Sequence, residues 1–321
     1  MRRILITGST GQIGSELTVE LRKKFGGHNV ISTGHKRKPA GNALMSGPFE
    51  FLDLNKEEEI AAIVRRYDID VIYHLAAILS AKGEDDPMMA WNVNTKSLIN
   101  ILEVARKEKV EKVFWPSSIA VFGPSSPRVK TPQETILNPT TMYGLTKVSG
   151  ELLCSYYFRK FGLDVRCLRY PGIISSETLP GGGTSDYAVA MFYDAIRSGR
   201  YTCFVRKDTE LPMMYMPDCI EATIGIMTGE EGRVKRHDGY NVAGMSFSAG
   251  ELADEISLYI PGFECRYEPD SRQKIADTWP RSLDDSAALK EWGWKPKYDI
   301  HSMTEDMIQK VRAKLSNTGK G

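Results

Sequence analysis

The stretch Arg3-Ile-Leu-Ile-Thr7-Gly8-Ser-Thr-Gly11-Gln-Ile-Gly14-Ser-Glu-Leu-Thr-Val-Glu-Leu-Arg22 decides the fold. Its first five residues make a short apolar run of the kind found in buried parallel strands. Three glycines follow at once, and from Ser15 to Arg22 the apolar residues recur at helical spacing. Strand, glycine-rich turn and helix in direct succession form the context in which a glycine motif reads as a dinucleotide site. The glycines let the backbone turn tightly and approach a pyrophosphate. The helix N-terminus offers N–H groups and a partial positive charge. Taken alone, three glycines are also compatible with a plain turn.

Working outward, the pattern repeats. His28–Thr33 reads as a second strand, Phe49–Leu54 as a third, Val71–Ala77 as a fourth and Val113–Ser118 as a fifth, with helices over 56–66 and 86–109 between them. Alternating strands and helices predict a doubly wound parallel sheet, a Rossmann α/β fold. By the crevice rule, the ends of strands one, four and five face one ligand cleft. Asp53 at the end of strand three either meets an adenine edge or caps the helix expected from Asn55. His74 lies inside an apolar run and reads as a core histidine. At the end of strand five, Ser117 and Ser118 each offer a hydroxyl for a reacting oxygen, or for capping the following turn.

An acid that binds the adenosine ribose of NAD is expected about twenty residues beyond the glycines. Gly34 stands there, followed by His35-Lys-Arg-Lys38. This basic cluster reads either as a 2′-phosphate acceptor, hence NADP, or as a solvated loop. The residues leave NAD and NADP both open.

Tyr143-Gly-Leu-Thr-Lys147 opens a helix continued by Val148–Phe158, which places the phenol and the ammonium one turn apart on one face. A free phenol titrates near ~10. A neighbouring ammonium is expected to lower that value, so the pair can take a proton from a substrate hydroxyl while a cofactor takes the hydride. Further on, three glycines at 181–183 precede Thr184, Ser185 and Asp186 and then the apolar helix expected from Tyr187. The polar trio reads either as donors and acceptors for a zwitterionic ligand or as an ordinary helix start. Ser198–Phe204 reads as a short strand, and helices are expected over 217–227 and 248–259. Trp279 either closes over the cleft or packs in the core.

The 321 residues exceed one ordinary core, so a dinucleotide-binding domain over 1–170 and a smaller substrate-binding lobe over 171–321 are expected, with some later segments returning to the first. Net charge is +1, from 42 basic and 41 acidic residues, which points to neither a nucleic-acid nor a membrane partner. The five cysteines show no metal-ligand spacing and read as free thiols, with no metal. A first strand beginning by Ile4 and the lack of a long apolar run make a cytoplasmic location the expectation.

In order and spacing, Gly8-x-x-Gly11-x-x-Gly14, Asp53-Leu54, Leu75-Ala-Ala77, Ser117-Ser-Ile-Ala-Val-Phe-Gly123, Tyr143-x-x-x-Lys147 and Arg169-Tyr-Pro-Gly172 resemble the extended short-chain dehydrogenase/reductase family. The segment Pro171–Asp186 and the tail Asp277-Thr-Trp-Pro-Arg-Ser-Leu-Asp284 with Trp292–Pro296 resemble its UDP-galactose-epimerase-like L-threonine 3-dehydrogenases. The resemblance implies oxidation of the threonine 3-hydroxyl with NAD reduced. It implies Ser118, Tyr143 and Lys147 as the catalytic set, choosing Ser118 over Ser117.

For the cofactor it implies Gly8, Thr10, Gly11, Gln12, Ile13 and Gly14, then Asp53, Leu54, Leu75, Ala76, Ala77 and Asn94. Tyr143, Lys147, Tyr170, Gly172 and Ile173 complete that set. For the amino-acid substrate it implies Ser80, Ser118, Tyr143, Gly183, Thr184, Ser185 and Asp186. Gly34 departs from the aspartate that the relatives carry there, which leaves the NAD preference open. Relatives are commonly paired through the helices at 86–109 and 143–161, so a monomer or a homodimer is expected. A nucleotide-sugar epimerase or dehydratase is the competing activity on the same scaffold, with Arg169, Arg206 and Arg281 available for a diphosphate.

Overall fold

The computed structural model describes residues 2–39, 46–179, 181–230 and 232–318. Gly41 and Pro180, in two of the loops considered above, lie outside them. Seven parallel strands form the main sheet: β1 (Ile4–Thr7), β2 (Val30–Gly34), β3 (Phe49–Phe51), β4 (Val71–His74), β5 (Lys112–Ser118), β6 (Asp164–Tyr170) and the late β10 (Tyr240–Asn241). Their spatial order is β10-β6-β5-β4-β1-β2-β3. Strand order reverses between β1 and β4, and a ligand crevice opens at such a switch point.

The strands are shorter than their apolar runs suggest because each ends where its neighbour does. β4 stops at His74, which pairs with Thr7; Leu75 N still donates to the Thr7 carbonyl at 3.1 Å, and the ladder ends there because β1 turns away at Gly8. β3 is an edge strand whose last pair is Gly34 with Phe51, so it ends three residues before Leu54. The start expected for β2 at His28 is a 3₁₀ turn over Gly27–Asn29. The helix expected from Asn55 begins later, as α2 (Glu57–Tyr67) after α1 (Gln12–Phe25); Asp53 Oδ1 accepts from the Asn55 backbone N at 3.0 Å and closes a local turn ahead of it.

α3 (Ser80–Asp85) and α4 (Pro87–Lys107) follow β4, and α5 (Met142–Phe161) follows β5. Thr141 caps α5 by accepting from Gly144 N at 3.1 Å. Leu145, Leu152 and Tyr156 of α5 and Ile99 of α4 are exposed on its surface. The second lobe is built on β7 (Gly172–Ile174), β9 (Glu210–Tyr215) and β11 (Met245–Ser248), and on a parallel pair of β8 (Arg200–Cys203) with β12 (Glu264–Tyr267). α6 (Tyr187–Ser198), α8 (Ala249–Tyr259) and α11 (Ile300–Thr318) pack against one another there. β8 starts at Arg200 rather than Ser198 because α6 runs on to Ser198 and Gly199, at φ +68°, ends it. α7 (Met216–Thr228) lies against α1 and β6.

Two apolar cores flank the main sheet and a third fills the second lobe. The five cysteines are free thiols, four of them buried. No helix among the described residues is long and apolar enough to cross a membrane.

Candidate active site

The glycine turn is shaped by contact as much as by conformation. Gly8 has φ +72°, and a Cβ there would sit 2.7 Å from Ala76 N at the exit of β4. A Cβ on Gly14 would lie 2.2 Å from the Gly8 carbonyl oxygen, so only glycine lets α1 pack this close to β1. Gly11 stands at the N-cap of α1 with no side chain to cap it, and the first turn carries no acid. The first N–H groups of the helix are therefore left for an anion. The donor set and the glycine cradle fit a dinucleotide pyrophosphate.

Beside this turn is a cavity of about 150 Å³ lined by Gln12, Ile13, Leu75, Ala77, Ser80, Ser118, Tyr143, Lys147, Tyr170, Gly172, Ile173, Gly183, Thr184, Ser185 and Asp186. Leu79, Pro116, Ser117, Ile119, Pro171 and Trp279 complete its wall. Leu79 and Pro116 stand in none of the quoted motifs; Ser117, Ile119 and Pro171 do, as does Trp279, in the Asp-Thr-Trp-Pro-Arg run. Trp279 is both buried, at 5% exposure, and part of the lining.

Ser117 and Ser118 are adjacent in β5 and so point to opposite faces. Ser117 belongs to the cavity lining, but its Oγ is engaged, donating to Glu151 Oε1 at 2.5 Å. Ser118 hydrogen-bonds the Tyr143 phenol. It is Ser118 that shares the reacting end of the cleft.

Lys147 is buried, with Nζ donating to the Pro116 carbonyl oxygen at 2.5 Å and lying 4.4 Å from the Trp115 ring centroid. The expected acidification of Tyr143 by this ammonium is not present. Burial pushes the phenol up to about 12, and the hydrogen bond from Ser118 is what pulls it back. Burial also brings Lys147 down to about 8. Desolvation, which penalises each charged form, is the leading cause of both shifts. His74 is held neutral, its value brought down to about 3 by burial and by Lys147. Its Nδ1 lies 2.7 Å from Thr7 Oγ1 and its Nε2 3.3 Å from Ser97 Oγ.

Opposite Tyr143, the hydroxyls of Ser80 and Thr184 are 3.2 Å apart. Asp186 stands at the N-terminus of α6 but does not cap it. Its Oδ2 turns back to accept from Gly182 N and Gly183 N, both at 2.8 Å. The carboxylate thus shapes the glycine loop.

Several residues chosen for the cofactor are not in this cavity. Gly8, Gly11, Gly14 and Ala76 form the turn beneath it. Thr10 lines a larger groove of about 1380 Å³ on the other side of α1. Asp53 is engaged with Asn55, and the Leu54 carbonyl accepts from Asn100 Nδ2 at 2.8 Å. Asn94 is spent on structure: Oδ1 accepts from Ile78 N at 2.8 Å, and Nδ2 donates to the Ile78 carbonyl and to Thr146 Oγ1. It braces the loop that carries Ser80.

A dinucleotide-binding sheet with a Ser/Tyr/Lys cluster at its switch point defines a nicotinamide-dependent oxidoreductase of the extended short-chain dehydrogenase/reductase class. Residues 4–243 match the model of the NAD dependent epimerase/dehydratase family, and the chain belongs to that family. An uncharacterized epimerase/dehydratase of Staphylococcus haemolyticus is 47% identical over 99% of this chain and 100% of that protein. Among solved structures, the holo form of a GalE-like L-threonine dehydrogenase from Cupriavidus necator is 48% identical with a TM-score of 0.94, covering 96% of this chain and 99% of that one. An L-threonine dehydrogenase from Clostridium difficile is 48% identical with a TM-score of 0.95, covering 98% of each.

Proposed function

We propose that the enzyme oxidises the 3-hydroxyl of L-threonine to L-2-amino-3-oxobutanoate, with one hydride passing to the cofactor and one proton released. The observation that carries this is the half-open cavity of about 150 Å³ whose lining brings Tyr143 and Ser118 together with Ser80, Thr184 and Gly183. It suits a small amino acid; sites for larger ligands are typically about 300–1,000 Å³. The basic residues that a nucleotide diphosphate needs are elsewhere. Arg169 is buried against Glu151, Arg206 pairs with Asp277 at 2.7 Å, and Arg281 is exposed. The solved relatives named as L-threonine dehydrogenases support the same substrate.

A bound oxidised nicotinamide supplies the hydride acceptor and a positive charge. Tyr143 accepts the hydroxyl proton. Ser118 has one hydroxyl proton, which it offers to the phenol and passes to the substrate oxygen when threonine binds. Lys147, held by the Pro116 carbonyl, offers its remaining N–H donors toward the cleft and favours the ionised phenol once the site fills. In this division of labour residues 1–170 hold the dinucleotide and the lobe after Tyr170 closes on the amino acid.

The test follows absorbance of reduced cofactor with threonine, with a UDP-hexose or with no substrate, each with NAD and NADP. Reduction that depends on threonine supports the reading, and reduction only with the nucleotide sugar overturns it. Ser118→Ala is expected to lower kcat by about a hundredfold, the usual cost of losing one donor to a reacting oxygen. Because Ser118 lowers the phenol's value, the alkaline rise of kcat should also shift to higher pH in this variant; an unshifted profile would separate Ser118 from Tyr143. Asp186→Ala strips the glycine loop of two charge-assisted bonds, so KM for threonine should rise about tenfold or more while the melting temperature stays close to wild type.

A further inference from the structure

We propose that the end of β2 is a 2′-phosphate site, so that the enzyme takes NADP in preference to NAD; this rests on the dinucleotide reading but not on the choice of threonine. Three observations carry it. First, Gly34 cannot be exchanged for an acid without moving the chain. A Cβ there would lie 2.6 Å from the Arg37 carbonyl oxygen, 3.2 Å from Thr10 Cγ2 and 3.3 Å from the Phe49 ring. The turn over 35–37 closes on the place where a ribose-binding carboxylate projects in an NAD site.

Second, no acid occurs in the sequence between Glu20 and Glu50, while Arg22, Lys23, Lys24, Lys36, Arg37 and Lys38 all do. Asp53, the first aspartate beyond that stretch, is occupied by the backbone N and side chain of Asn55. The 2′-hydroxyl of an unphosphorylated ribose therefore meets no carboxylate acceptor at this strand end.

Third, Arg37 and Lys38 line the groove beside Thr10, on the flank of the glycine turn. Both are exposed, and neither enters an ion pair among the described residues. Lys38 Nζ lies 6.0 Å from the centroid of the exposed Phe51 ring instead. Three of the four acids along the same groove have side-chain partners, Glu20 with Lys23 and Glu221 with Lys297, each at 2.6 Å, and Glu16 with Ser175 at 2.5 Å, while Glu177 forms no ion pair among the described residues. An Arg next to a Lys with no carboxylate to satisfy them is the donor set that a phosphate monoester requires.

Calorimetric titration with 2′-phospho-ADP-ribose and with ADP-ribose tests this without any turnover. The wild-type chain is expected to bind the 2′-phosphorylated ligand about tenfold or more tightly than ADP-ribose, with the ratio shrinking as salt is raised. Arg37→Ala combined with Lys38→Ala should abolish that ratio and leave ADP-ribose affinity within about twofold of wild type, because the two side chains would then act on the phosphate alone. Equal binding by the wild type, or tighter binding of ADP-ribose, overturns the proposal. So does a double variant that weakens both ligands alike, which would make the loop structural. Binding of neither ligand would overturn the dinucleotide reading itself. Tight binding of the 2′-phosphorylated ligand together with no oxidation of threonine would sink the substrate assignment and leave this one standing.

Discussion

Replacing Tyr143 by Phe is expected to lower kcat by about 10²–10⁴, the range that positioned general bases contribute. Among the described residues the phenol oxygen is engaged by Ser118 and by no backbone group. Binding of ADP-ribose and the thermal midpoint should therefore remain at wild-type levels, so the loss can be read as chemistry. Steady-state kinetics with threonine, paired with a melting curve, check both halves. Retention of wild-type turnover would remove Tyr143 from the mechanism. The phenol's value of about 12 adds a sign. At neutral pH it is protonated, so oxidation should accelerate as pH rises above neutral, and the reverse reduction should be favoured at lower pH.

Replacing Glu151 by Ala should destabilise the fold by about 3–5 kcal/mol, the cost of stranding a buried charge by removing its partner. Arg169 Nε and Nη2 each lie 2.9 Å from one oxygen of this carboxylate, and Ser117 donates to it as well. Both side chains are almost fully buried, at 5% and 2% exposure. Glu151 is one helical turn beyond Lys147 on α5, so the pair ties the Tyr/Lys helix to β6 and to the end of β5. The urea midpoint should fall accordingly. Glu151→Gln, which keeps one acceptor oxygen for these donors while losing the charge and the second acceptor, should fall less. A midpoint unchanged in the Ala variant would show that water reaches Arg169 and that the pair carries no stability.

The apolar run into Gly8–Gly14 and the Tyr143/Lys147 spacing were legible because they are local. A strand, a glycine turn and a helical i, i+4 pair are each specified within a few residues. Asn94 and Asp53 sit at positions where side chains near a crevice are plausible, yet their hydrogen bonds are taken up by Ile78, Thr146 and Asn55. Those partners are sixteen, fifty-two and two residues away, and the two distant ones come together only when α4 packs on β4 and α5.

By itself, then, the sequence determined the alternating parallel architecture, the glycine cradle and the pairing of a phenol with an ammonium. The motif resemblance had pointed to Ser118, and tertiary structure supplied the partners, Glu151 for Ser117 and Tyr143 for Ser118, because neighbours on a strand face opposite ways. It decided that Asp186 shapes the glycine loop and does not cap its own helix. It also decided that the phenol is weakened as an acid: charge attraction can be anticipated from spacing, whereas desolvation depends on everything that packs around the pair.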